Sequence, residues 1–225
     1  MKTIKQSWIF RVILIAVMLI AIEIPPIAVR FALHYAKTNQ LAVYGFMALF
    51  ICLMLVIIWW ARRTYESYNQ LGKPAGIKVG QIIGGYLAII IGMDILSYFN
   101  RLLYHQTETA NNAALGSMLG HNEVITVVFV FSAVILSPIA EELIFRGTLT
   151  NMFFKRGNIW PKVILSGIVF SAGHMSSNPI SFLMYAYMGM VLAFVYLRTA
   201  DIRNSIAIHI INNAIAMYIL LMQVS

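Results

Sequence analysis

Long apolar runs separated by short polar gaps dominate the chain. They fall near residues 8–29, 41–60, 81–99, 124–146, 160–175, 180–197 and 205–224. A membrane-spanning helix needs about 20 apolar residues, so the pattern predicts an all-α, polytopic transmembrane helical bundle of about seven spans. With short loops, seven spans use up the chain, and residues 1–225 read as a single integral membrane domain. Prolines punctuate the runs. Pro25 and Pro26 should kink or end the first helix, Pro138 should loosen the fourth, and Pro179 should open the sixth. No internal repeat is visible.

Composition supports a membrane protein and removes other classes. The chain is 60% hydrophobic and only 11% charged, far below the roughly 25% charged usage of soluble domains. The net charge of +8 does not indicate nucleic acid, because the basic residues are scattered at the ends of apolar runs instead of forming one basic patch. Cys52 is the only cysteine, which excludes disulfides within the chain and thiolate metal clusters. The basic start followed by an apolar stretch resembles a signal peptide. No small-residue cleavage site follows, however, and Glu23-Ile24-Pro25-Pro26 interrupts, so an uncleaved first helix is expected.

Lysine and arginine alternate between gaps, and cytoplasmic loops carry the excess. Lys2, Lys5 and Arg11, then Arg62, Arg63, Lys73 and Lys78, then Arg146, Lys155, Arg156 and Lys162, and finally Arg198 and Arg203 are assigned to the cytoplasmic side. The gap with Arg101, Glu108 and Glu123, the gap at residues 175–179 and the carboxyl end are assigned outside. Trp59, Trp60 and Trp160 read as interface anchors.

Charge inside an apolar run is costly and marks function by default. Glu141, Glu142 and Arg146 end the fourth run. At i and i+4, Glu142 and Arg146 share a helical face and can pair, while Glu141 is turned roughly 100° away and left free. His174, His209, Asn213 and Asp94 are the other polar groups in or near the runs. Taken alone, each histidine reads as a group bonded to a neighbouring helix, and Asp94 reads as packing. Phe170 with His174, Ser205 with His209, and His209 with Asn213 are each four apart, so three helices present polar stripes, and Asn213 can orient the His209 ring. Satisfying such groups in lipid requires that they face one another or a cavity.

A glutamate, two imidazoles and an amide suit attack of water on a carbonyl. Glu141 fits a general base, and His209 and Asn213 fit the donors that a developing oxyanion needs. His174 either holds the water with Glu141 or completes a metal site, since two histidines and a glutamate also match a catalytic zinc set. No HExxH supports zinc.

The segments Glu141-Glu142-Leu-Ile-Phe-Arg146-Gly147, Phe170-Ser-Ala-Gly-His174 and His209-Ile-Ile-Asn-Asn213 resemble, in order and spacing, the three signature motifs of the CPBP family. These are the CAAX-protease and bacteriocin-processing (Abi) intramembrane proteases related to the Ras-converting prenyl endopeptidases. The resemblance covers a core of about residues 124–218; relatives commonly carry Thr-Gly where this chain has Thr199-Ala200. It implies a metal-independent glutamate protease, without cofactor, in which Glu141 activates water with help from His174. His209 and Asn213 would form the oxyanion site, and Glu142 and Arg146 would support it.

The expected function is endopeptidase cleavage of a membrane-associated peptide or protein, in bacterial peptide processing or bacteriocin self-immunity, with the site open to the cytoplasmic side. Prenylated CaaX ends are the other substrate candidate. The alternatives are a non-catalytic immunity or peptide-binding membrane protein, a zinc-dependent membrane protease, and a transporter. The last predicts two related halves with broken helices, which are not visible. Depth poses a difficulty. If Arg146 and Arg203 mark the cytoplasmic surface, Glu141 and His209 lie about 8 Å below it, whereas His174 lies about 21 Å along its helix from Trp160. Ser176-Ser177-Asn178-Pro179 is a credible helix break that could reconcile them.

Overall fold

The computed structural model describes residues 7–154 and 157–224. The apolar runs become helices whose starts are set by capping side chains. α1 (Trp8–Ile22) is capped by Ser7, and α2 (Pro25–Tyr35) continues it past the Glu23-Ile24 break. Asn39 caps α3 (Gln40–Tyr68), accepting from the Ala42 N–H at 3.0 Å. α4 (Val79–Tyr104) leads through the short α5 (Ala110–Gly116) to α6 (Glu123–Met152), capped by Asn122. α7 (Ile159–Ala172) ends at Gly173, and a capping box between Asn178 and Ser181 opens α8 (Pro179–Thr199). α9 (Ile202–Val224) closes the described chain.

Six of these units are long and apolar enough to cross a membrane: Trp8–Tyr35, α3, α4, α6, α8 and α9. The fifth run, as α7, is 14 residues long, about 21 Å and short of the hydrocarbon thickness. The chain is a multi-pass integral membrane protein, all-helical as the pattern predicts. Pro25 and Pro26 stand at the start of α2 and Pro179 at the start of α8.

α8 lies at the centre of the packing. Its close approach to α7 depends on two glycines: a Cβ on Gly189 would lie 2.9 Å from the Gly167 Cα. α4, by contrast, turns most of its surface outward, including Ile91, Ile95, Tyr98 and Leu102, as expected of a lipid-facing helix.

The two ends of the bundle differ. At the end where α6 finishes, the α8–α9 turn is drawn inward. Thr199 and Asp201 are buried, the Ala75 N–H donates to the Thr199 carbonyl at 3.0 Å, and Asn204 bridges the Gly76 carbonyl and the Lys78 N–H. The α3–α4 connection therefore covers this end. In the turn itself Ala200 adopts a left-handed conformation, φ 49°. Asp201 accepts from the Arg203 guanidinium at 2.6 Å, which holds its carboxyl below the usual range.

Candidate active site

α6 is not a regular α-helix. It widens into π turns at Ser132–Leu136 and again at Glu142–Leu149, with Pro138 between them. Such turns concentrate at functional sites, and here each has a local cause. The Ser137 N–H bonds the Ser132 carbonyl, and in that register the next donor would come from Pro138, which has none. The Ala133 carbonyl is left over, and the Asn213 side-chain amide donates to it at 3.0 Å. In the second turn, side chains take up the altered pattern. Thr148 Oγ1 donates to the Leu143 carbonyl, Asn151 Nδ2 to Gly147, and Ser166 of α7 to Phe145.

The second π turn carries a fully buried ionic cluster. Arg146 Nη1 lies 2.9 Å from Glu142 Oε1, both side chains being 0% exposed, so the pairing read from their spacing is present. The guanidinium also donates to the Gly189 carbonyl at 3.3 Å and lies over the Phe170 ring, 4.3 Å from its centroid. The close crossing of Gly167 and Gly189 thus brings a backbone acceptor within reach of Arg146. His209 Nδ1 donates to the same Glu142 oxygen at 2.9 Å, and its Nε2 faces Glu141 Oε2 at 3.7 Å. His209 therefore bridges the two glutamates, and Glu142 orients its ring. This corrects the expectation that Asn213 does so, because Asn213 is committed to the Ala133 carbonyl.

Glu141, His174 and Asn213 line one cavity of about 760 Å³. His174 lies just beyond α7, its Nδ1 donating to the Phe170 carbonyl at 2.8 Å and its ring stacked on Tyr185. That bond leaves Nε2 as an acceptor. Phe170 stands between the histidines, 4.3 Å from the His174 ring and 5.7 Å from that of His209. Glu141 Oε2 makes no hydrogen bond to the described residues. Among the described residues no group of three or more His, Cys, Asp or Glu side chains could hold a metal ion.

The depth difficulty resolves because Arg146 is not a surface residue. α6 continues to Met152, from which Glu141 lies about 16 Å along the helix, against about 22 Å from Ile159 to His174. His209 is only about 10 Å along α9 from Ile202, but that helix begins at the recessed turn. Lys162, also counted as a cytoplasmic charge, is buried; Lys155 and Arg156 lie outside the described residues. The cavity lining runs from Glu141 to Asn111 and Asn112 of α5 and to Met175 after α7. It leads away from the end at which α6 finishes, which is filled by residues 142–152, all of them buried.

Asp94 lies on the exposed side of α4 and does not line the cavity; its neighbour Met93 does. The sequence reading missed Glu23, which lines the same cavity as Glu141 from the α1–α2 break. The signal was there in a lone carboxylate inside an apolar run beside two prolines.

Residues 123–215 match the Rce1-like family, described as type II CAAX prenyl endopeptidase. Among curated proteins, YdiL of Bacillus subtilis, provisionally named a membrane peptidase, is 22% identical over 183 residues, which is 81% of this chain and 70% of YdiL. Two UPF0177 proteins of Lactococcus lactis are also similar. YbdJ is 24% identical over 87% of this chain and 80% of its own length, and YaiH is 32% identical over 52% and 49% respectively. No solved structure matches.

Proposed function

We propose that this chain, which belongs to the CPBP family of membrane proteases through its Rce1-like residues 123–215, cleaves a membrane-associated peptide with water activated by Glu141. Membrane peptidase activity follows from the family; the glutamate mechanism is our reading. The observation that carries it is the division of labour between two adjacent carboxylates. Glu142 is sealed from the cavity with its Oε1 held by both Arg146 and His209, whereas Glu141 lines the cavity.

In this mechanism Glu141 takes a proton from water, and the hydroxide adds to the scissile carbonyl. His174 Nε2 accepts from the same water and aims it. The oxyanion receives the Asn213 amide hydrogen not given to Ala133. Glu141 then returns its proton to the leaving amine, so the reaction ends with two peptide products and the carboxylate restored. His209, enclosed between the glutamates, is a positioning residue for Glu141, and Arg146 balances the charge of Glu142. No step requires a metal. The setting we favour is peptide processing or bacteriocin self-immunity.

The test is cleavage of a membrane-presented peptide library by purified wild type and Glu141→Gln, each with and without chelator. Chelator-resistant cleavage that falls by about 10²–10⁴-fold in the mutant supports the mechanism. Unchanged turnover in Glu141→Gln would sink it, and chelator-sensitive cleavage would return the zinc reading.

A further inference from the structure

The cavity holds a second carboxylate that the mechanism does not use. Glu23 lies at the end of α1, level with Glu141 by the packing of Ile15 beside Leu149 lower down the same two helices. A carboxylate far from either end of a membrane-length unit is expensive and calls for a partner, yet the surrounding backbone supplies none. α1 presents its carbonyl end there, which disfavours negative charge. Pro25 and Pro26 remove two of the amide donors that the first turn of α2 would offer. The Ile24 and Ile27 N–H groups are spent on the Ala21 and Ile24 carbonyls. Glu23 is exposed and makes no side-chain hydrogen bond or ion pair with a described residue.

The rest of the lining sharpens the point. It includes the amides of Asn111, Asn112, Asn212 and Asn213 but, among the described residues, no lysine or arginine. The nearest strong cation, Arg146, is sealed behind the wall and paired to Glu142. The acidic groups of this chamber, Glu23 and Glu141, therefore have no lysine or arginine among the described lining residues to pair with. Such a chamber attracts a cation and repels an anion, and low surrounding dielectric strengthens both effects.

We propose that Glu23 is the specificity-determining residue of the cavity and binds a cationic group of the substrate, a lysine or arginine side chain near the scissile bond. This rests on the protease reading above. It separates the substrate candidates, because the same field disfavours a free carboxylate near the cleaved bond, as in a peptide cut close to its carboxyl end. Cationic membrane peptides fit; CaaX ends do not.

The experiment uses the full chain in nanodiscs and capped, amidated leucine-alanine peptides that differ only in one central residue: lysine, norleucine or glutamate. Wild type should cleave the lysine peptide with kcat/KM about tenfold or more above that for norleucine. Glu23→Gln should bring the two within about twofold, and Glu23→Lys should transfer the preference to the glutamate peptide. A lysine preference that persists in Glu23→Gln, or none in wild type, overturns the proposal while leaving the protease reading intact. Binding supplies an arm independent of turnover. In the Glu141→Gln background, adding Glu23→Gln should weaken the lysine peptide's Kd about tenfold and leave that of norleucine unchanged. Equal effects on the two peptides would overturn the assignment even if no peptide is cut.

Discussion

The two halves of α6 are one continuous helix with opposite uses. The half from Glu123 to Glu141 walls the cavity through Phe129, Ser132, Ser137 and Glu141, while every residue from Glu142 to Met152 is buried and Phe145 alone of these reaches the lining. The boundary falls between two adjacent glutamates. On one side a carboxylate is immobilised by a guanidinium and an imidazole; on the other, the same chemical group borders open space. Surroundings alone separate a sealed, paired carboxylate from one that borders the cavity.

That contrast can be broken experimentally. The largest stability effect should come from Arg146→Ala, which strands the Glu142 charge in a sealed interior and should cost about 3–5 kcal/mol. Glu141→Gln, one residue across the boundary, should leave the melting temperature in detergent almost unchanged. Equal melting for wild type and Arg146→Ala would show that the cluster is not what holds this half. Gly189→Val comes next. Its Cβ would meet the Gly167 backbone and the Phe170 side chain, so a loss of about 1–3 kcal/mol is expected, again by thermal unfolding.

Asn213→Ala tests the cavity half. It orphans the Ala133 carbonyl and should cost about 1–2 kcal/mol. Replacing Pro138 by alanine in that background returns a backbone N–H to the same turn, so the double variant should recover part of the loss. If Pro138→Ala has the same effect whether or not Asn213 is present, the two are not coupled. The smallest change is Ala200→Gly, which relieves a left-handed conformation and should raise stability by up to about 1 kcal/mol with cleavage unaltered.

Much of the candidate site was legible in the sequence because local spacing carries it. Glu142 and Arg146 pair as their separation suggests, and Glu141, His174 and Asn213 border one cavity. The errors share a cause. Arg146 and Lys162 were counted as surface charges because a linear count has no means of seeing burial. The Asn213 amide was assigned to His209, one turn away on its own helix, because a carbonyl released by Pro138 on another helix leaves no periodic trace. Glu23 was read only as an interruption.

The apolar runs, the proline breaks and the ordered motifs determined an all-helical membrane protein with a polar constellation in its second half, because hydrophobic periodicity and the demand for backbone hydrogen bonds in lipid act locally. Which end of the bundle is filled, which acceptor the Asn213 amide takes and whether the carboxylate of the first helix joins the cavity were decided by tertiary structure. Those outcomes depend on close approaches between distant segments: the Gly167–Gly189 crossing, the π turns of α6 and the inward α8–α9 turn. Steric fit and low dielectric then act on polar groups whose burial and long-range partners leave no periodic trace in the sequence.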